Sequence, residues 1–265
     1  MARGCAPVKA RPNRSYTCYE DCVQGARLLQ STVESLRRRL TEARLSKVSR
    51  DVRRQGLTYL SPDKLLNLER CLATLRREKI TGDCLEAGIA LGGSAIVICS
   101  LMGPRRRWAG YDVFGMIPPP GEADGEDSHA RYQTILSGQS KGLGGGEYYG
   151  YQDDLYGTLL STFKAFGQAV DGQRVSLHRG LFEDTLRFSD EQRIAFAHID
   201  CDWHDPVKLC LERIHPVLQN GGFIVADDYH DYDGCRRAVH DFLSDKRDMR
   251  IVNARGNLVM RRTAA

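Results

Sequence analysis

Long apolar runs are missing from this sequence of 265 residues. The longest uncharged stretch, Ala87 to Gly103, carries four glycines and two serines and is slightly short for the ~30 Å of a bilayer core. A buried strand, a turn and a helix account for it, so no membrane partner is expected. A secretory leader is missing too: "MARGCAPVKARPNRSY" has basic residues with no apolar run behind them, which sets the expectation of a cytoplasmic protein. Nine cysteines, an odd number in a chain of this size, argue for reduced thiols over a disulfide framework. Cys18 and Cys22 form a close pair, but no second pair stands at zinc-ligand spacing. The bulk of the chain also lacks a net positive charge. The net charge is +4, yet residues 1–56 hold 13 Lys/Arg against 5 Asp/Glu, which leaves −4 for the remainder. A basic nucleic-acid-binding core is therefore not indicated, and no nucleic-acid partner is expected.

What is present begins with a basic helical extension over residues 1–56. From Gln24 to about Gln55 the sequence favours helix, and Leu29, Val33, Leu36 and Leu40 recur at spacings of four, three and four. That apolar face predicts packing on the main domain or on a second subunit, hence a homo-oligomer. A second amphipathic helix follows "SPDKLLNLERCLATLRR", with a serine cap at Ser61 and proline at the first helical position.

Residues 57–265 read as one α/β domain. Short apolar runs at Cys84 to Ala87, Trp108 to Tyr111, Val175 to His178, Ile194 to Ile199 and Gly222 to Ala226 alternate with helices starting near Gly93, Pro206 and Asp233. Such alternation predicts a mostly parallel, doubly wound sheet whose ligands sit beyond the carboxyl ends of the strands. "RIVNARGNLVMRR" closes the chain as an antiparallel hairpin. Between about 115 and 167 lies an excursion rich in glycine, proline and tyrosine, too long for a simple connection. It is expected to act as a lid, with His129, Tyr148 and Tyr149 as candidate substrate contacts.

The chemistry concentrates at strand ends. "DCLEAGIALGGSA" sets Glu86 at a strand terminus, then Gly88, Gly92, Gly93 and Ser94 before a helix, a pattern that lets backbone pass close to a ligand. Asp112 ends the next strand about 20 residues later, where a carboxylate can accept hydrogen bonds from ribose hydroxyls. These features favour a nucleoside ligand without separating a nicotinamide cofactor from S-adenosylmethionine. Asp200 and Asp202 end the fourth strand and Asp227 with Asp228 ends the fifth. On adjacent parallel strands these carboxylates would converge, and such a set suits a hard divalent cation, Mg2+ or Ca2+.

Six segments stand in the order and spacing of one family: "YLSPDKLLNLERC", "GDCLEAGIALGGSA", "YDVFGMIPPP", "GLFEDTL", "HIDCDWHDPVKLCLERIHPVLQNGGFIVADDY" and "GCRRAVHDF". From Thr58 to Phe242 the chain resembles the macrocin O-methyltransferases (TylF/MycF/NovP), S-adenosylmethionine- and Mg2+-dependent enzymes that methylate sugar hydroxyls, often on natural-product glycosides. The resemblance implies a Rossmann-like class I methyltransferase fold and a small-molecule acceptor, a glycoside. It implies Asp200, Asp227 and Asp228 as metal ligands. Glu86, Gly88, Gly92, Ser94 and Asp112 would line the cofactor site, with Tyr59 and Ser61 near the methionine end and Gly180 to Phe182 near the adenine. Asp202 takes the place of the general base. His204 stands where the family usually has tyrosine, and by its ordinary pKa it is a second candidate for the proton. Two other readings stay open at this level: an iron hydroxylase using His198, Asp200 and His204, and a non-catalytic protein whose extension binds a partner.

Overall fold

The structure, a computed structural model, describes Met1 and residues 33–264. Cys18, Cys22 and Leu29 lie outside the described residues. The chain divides into two compact units, Met1–Ala43 and Arg44–Ala265. Residues 33–44 are helical and include Val33, Leu36 and Leu40. The continuous helix expected as far as Gln55 is broken at residues 45–46. Ser46 ends it by capping a new helix, α1 (Lys47–Arg54), through its hydroxyl to the Ser49 amide. Its own amide donates to the Glu69 carboxylate at 2.9 Å, so the break is fixed from outside the helix. A side-chain cap satisfies amides that a helix start leaves unpaired. Helix α1, which the charge pattern assigned to the extension, thus belongs to the second unit.

In the second unit, α2 (Pro62–Arg77) starts at the Ser61 cap with proline in its first turn. The strands follow: β1 (Asp83–Ala87), β2 (Trp108–Asp112), β3 (Val175–Arg179), β4 (Ile194–Ile199) and β5 (Leu218–Ala226). Between β1 and β2 lies α3 (Gly93–Leu101), and between β2 and β3 lie α4 (Glu126–Leu136) and α5 (Leu155–Ala165). A short α6 (Phe182–Thr185) leads to β4, and α7 (His204–Ile214) links β4 to β5. Helix α8 (Asp233–Asp245) precedes the hairpin of β6 (Met249–Asn253) and β7 (Leu258–Arg262).

All seven strands form one sheet in the order β3-β2-β1-β4-β5-β7-β6. The first five are parallel, and β7 runs antiparallel to both β5 and β6. The expected hairpin therefore supplies the antiparallel edge. Alternation along the strands divides the core in two. Cys84, Phe196, Phe223 and Val225 face a layer built from α1, α2, α3 and α5. Leu85, Ala197, Ile224 and Ala226 face α7 and α8. The direction in which successive strands are laid down reverses between β1 and its parallel neighbour β4, which opens a crevice at their carboxyl ends. The excursion over 115–167 holds two helices, α4 and α5, and α5 buries Leu155, Leu159 and Phe163 in the core. Those helices lack strand periodicity, which is why the sequence showed only what the segment was not.

Candidate active site

A cavity of about 490 Å³ opens at the carboxyl ends of β1, β2, β4 and β5. Its floor comes from backbone that packs too closely for side chains. At Gly88, with φ 85°, an added Cβ would lie 1.8 Å from the Asp200 carbonyl oxygen. The Gly88 amide donates to the Tyr111 carbonyl at 2.9 Å, and the Asp200 amide to the Ala87 carbonyl at 2.8 Å, so three strand ends interlock. Gly92, with φ 82°, begins α3. Its added Cβ would strike Leu159 at 2.6 Å, so glycine is required there by α5 packing.

Asp112 holds the loop after β1. Its carboxylate accepts from the Ile89 amide at 2.6 Å, the Ala90 amide at 3.3 Å and the Phe114 amide at 2.7 Å. Burial pushes its pKa up while these amide bonds pull against the rise. A carboxylate has about four lone-pair sites, so Asp112, which borders the cavity, keeps capacity for a ligand hydroxyl. Tyr59, Gly180 and Phe182 border the cavity as well. The other positions implied for the cofactor stand behind its wall. Ser61 caps α2, Gly92 faces α5, and Ser94 is buried in the first turn of α3 beside Glu86.

Glu86 is fully buried, and strand register explains its partner. Glu86 pairs with His198 across β1 and β4, with both side chains on the same face of the sheet. His198 Nδ1 lies 2.7 Å from Glu86 Oε1, and Nε2 lies 3.4 Å from Asp227 Oδ1. Burial opposes charge on the imidazole, but the two carboxylates outweigh it and push its pKa up to about 10. Carboxylates on both sides of the ring thus favour its protonated form, which can donate from each nitrogen. Asp227 is further held by Asn257 Nδ2 at 3.1 Å and by Lys64 Nζ at 2.7 Å. Despite burial, the His198 hydrogen bond and the Lys64 charge lower Asp227 to about 2.

Asp200, Asp202, Asp227 and Asp228 all border the cavity. Atoms of His198, Asp200 and Asp227 come within 4.8 Å of one another, as do atoms of Asp227, Asp228 and Asp231. Burial and then mutual repulsion push Asp200 and Asp228 well above the usual carboxylate range. Repulsion of this kind is what a divalent cation relieves, and the carboxylate oxygens of these groups suit a hard one. Asp202 has φ 58°, and its amide donates to Asp228 Oδ2 at 3.1 Å. Ala90 and Phe114, at φ 47° and 52°, share this left-handed backbone. Strained non-glycine residues thus gather at three of the strand ends that form the site.

His204 is not brought to the cavity. It opens α7, its Nδ1 lies 2.7 Å from Asp205 Oδ1, and its amide donates to Asp124 Oδ1 at 2.8 Å. A facial set of His198, Asp200 and His204 does not form. His129 is exposed on α4 and also stands away from the cavity. Tyr148 and Tyr149 do reach it, with ring centroids 4.4 Å apart, and Tyr149 meets Tyr59 edge-on at 6.1 Å. Among the cavity residues that the sequence did not single out are Lys64, Arg131, Trp203 and Asp231. Lys64 looks there like one more polar residue in the first turn of α2, and Arg131 like an ordinary surface position on α4. Trp203 donates from Nε1 to the Pro118 carbonyl at 2.9 Å, tying the proline run to the acidic strand end.

This strand order, with its cavity at the β1/β4 reversal, defines a class I methyltransferase fold. The solved O-methyltransferase NovP shares that fold at a TM-score of 0.65 and 20% identity, over 78% of this chain and 83% of its own. The family model for macrocin-O-methyltransferase (TylF) matches residues 14–154 and 157–254, and the chain belongs to that family of S-adenosylmethionine-dependent O-methyltransferases. One relative is the 8-demethyl-8-(2,3-dimethoxy-alpha-L-rhamnosyl)-tetracenomycin-C 4'-O-methyltransferase of Streptomyces olivaceus. It is 30% identical over 70% of this chain and 67% of its own length. Another is the mycinamicin III 3''-O-methyltransferase of Micromonospora griseorubida, 27% identical over 70% of this chain and 69% of its own.

Proposed function

We propose that this chain transfers a methyl group from S-adenosylmethionine to a sugar hydroxyl of a glycosylated small molecule, with Mg2+ as the metal. The observation that carries the reading is the gathering of four strand-end aspartates around one cavity that Gly88 and Asp112 also line. Donor and acceptor groups thereby meet at one point. The relatives named for rhamnosyl-tetracenomycin and mycinamicin support a glycoside as the acceptor.

Asp200, Asp227 and Asp228 would hold the metal, which supplies Lewis acidity that lowers the pKa of a hydroxyl and stabilises developing negative charge. Asp202 is the proton acceptor. Burial pushes its carboxyl up to about 7, with Arg131 pulling the other way, and a base poised near neutral pH is well matched to the task. Its left-handed backbone and its amide bond to Asp228 fix where that carboxylate points. Tyr148, Tyr149 and Tyr59 offer flat faces for a sugar ring, and the part of the 115–167 excursion that borders the cavity, from Gly115 to Tyr149, serves as its lid, with α5 anchoring it in the core. Holding the hydroxyl in line with the sulfonium methyl supplies much of the remaining acceleration.

The test is a calorimetric titration of S-adenosylhomocysteine into EDTA-treated protein, with and without Mg2+, followed by a methylation screen of glycosides. Micromolar binding together with Mg2+-dependent methylation of a glycoside is the expected result. Binding with no Mg2+ response would remove the metal from the reading, and no binding in either arm would refute the donor site.

A further inference from the structure

Lys64 reaches the acidic cluster from α2, a different element from any that carries an aspartate of the site. Its ammonium lies 2.7 Å from Asp227 Oδ2 and 2.7 Å from Asp231 Oδ2, and its side chain is 14% exposed. The two partners differ. Asp227 is buried and also accepts from His198 and Asn257, whereas the Asp231 side chain is 52% exposed at the cavity mouth. Glu86, His198, Asp227, Lys64 and Asp231 therefore form one line of alternating acidic and basic side chains from the sheet interior to the rim.

Resting on the metal reading above, we infer that Lys64 is a tethered counter-cation that competes with the divalent ion for Asp227 and keeps Asp231 as its alternative berth. The electrostatics are direct. Two cations on one carboxylate repel each other at ~4 Å by an amount that the low dielectric of a buried site enlarges. A metal ion entering the cluster therefore drives the ammonium away from Asp227. The second bond, already made to Asp231, lets Lys64 move outward without losing its ion pair. Metal affinity is consequently set by an exchange of cations on Asp227, and the position of the Lys64 ammonium reports whether the exchange has occurred. Lys64 is a positioning residue in this scheme, touching neither reacting atom.

The experiment measures binding of Mn2+ to the EDTA-treated full-length protein by electron paramagnetic resonance. Lys64→Met, which keeps the length and removes the charge, is expected to bind Mn2+ at least tenfold more tightly than the wild type. Lys64→Arg should stay within a few fold of it. Asp231→Asn should weaken binding several fold by confining Lys64 to Asp227, and should have no further effect in the Lys64→Met background. An equal weakening in both backgrounds would make Asp231 a metal ligand and overturn its role as a berth. A measurement on the wild type guards against misfolded variants. Acetic anhydride labelling of Lys64, read by mass spectrometry, should rise several fold on adding Mg2+ as the ammonium moves outward. Unchanged or weaker Mn2+ binding by folded Lys64→Met, or labelling indifferent to Mg2+, would overturn the inference while leaving the metal reading intact. Failure of the wild type and every variant to bind Mn2+ would refute both.

Discussion

Asp202 and His204 are two residues apart, yet the chain turns them in opposite directions. Asp202 sits at φ 58° with its amide bonded to Asp228 and its carboxylate in the cavity. His204 has entered α7 and pairs with Asp205. Asp202→Asn is therefore expected to lower kcat by roughly 10²- to 10⁴-fold, the span of a general base. His204→Phe should stay within a few fold of the wild type. Steady-state kinetics on a glycoside acceptor separates the two, and the reverse ranking would reassign the base. At this scale the sequence was legible where a side chain acts through its own type, as with the four aspartates. It was silent on Lys64, because nothing local marks a first-turn lysine as the one that crosses to a strand over 160 positions later. Motif spacing was equally silent on where Glu86 and Ser94 turn: Glu86 faces His198 from β1, and Ser94 is buried in the first turn of α3.

Two elements near the site borrow their caps from the segment between β2 and β3. The positions preceding α7 and α8 are Trp203 and Tyr232, neither of which caps through its side chain. Instead Asp124 accepts from the His204 amide at 2.8 Å and Asp127 from the Asp233 amide at 2.9 Å. Asp124→Ala should cost about 0.5–2 kcal/mol, the usual value of an N-cap, measured by urea unfolding. If 115–167 is a lid, the same change should raise KM for the acceptor more than it lowers kcat. The hairpin has its own tie. Asp248 lies 3.0 Å from His215 Nε2 and 2.8 Å from Arg262 Nε, fastening β7 to the end of α7. Burial acts to raise the Asp248 pKa, but His215 and then Arg262 hold it below the ordinary carboxylate value. A depressed folded pKa means that the stabilisation is present above the unfolded value of about 3.9 and disappears as pH falls through the folded one. Asp248→Asn should accordingly flatten the dependence of unfolding free energy on pH below about 4, while a parallel loss at every pH would mean the contact matters only through packing. Strands and hairpin were legible because their periodicity is local. These caps were not, because each joins segments that lie far apart in the chain.

Across the whole molecule, the alternation of strand and helix was enough to anticipate a parallel sheet with an antiparallel edge, but not the order in which its strands lie. That order follows from crossover handedness and from which helices cover which face, and neither is written in any one segment. The redox expectation extends to the same scale. Cys71, Cys84, Cys99, Cys201, Cys210 and Cys235 are all free and buried, and burial pushes the thiols of Cys71 and Cys84 up to about 12. Thiolates are the reactive form, so no more than three of the nine thiols should react promptly with Ellman's reagent in the native protein, and all nine in denaturant. Prompt reaction of a fourth would mean either that reagent reaches Cys201 through the cavity it borders or, if the site labelled is any other of the six, that a core layer opens.

The contact between Gly88 and the Asp200 carbonyl has a consequence for how such a molecule diversifies. The crevice loop and the acidic strand end are braced against each other by main chain alone, through contacts that no side-chain replacement outside Gly88 can lengthen. Donor side and acid side are in effect one casting. The segment over 115–167 meets them mainly through side chains, such as Trp203 to Pro118 and Asp124 to His204. Its tyrosines and prolines can therefore be exchanged for others, and a new acceptor fitted, while the distance between the two halves of the reaction stays as it was.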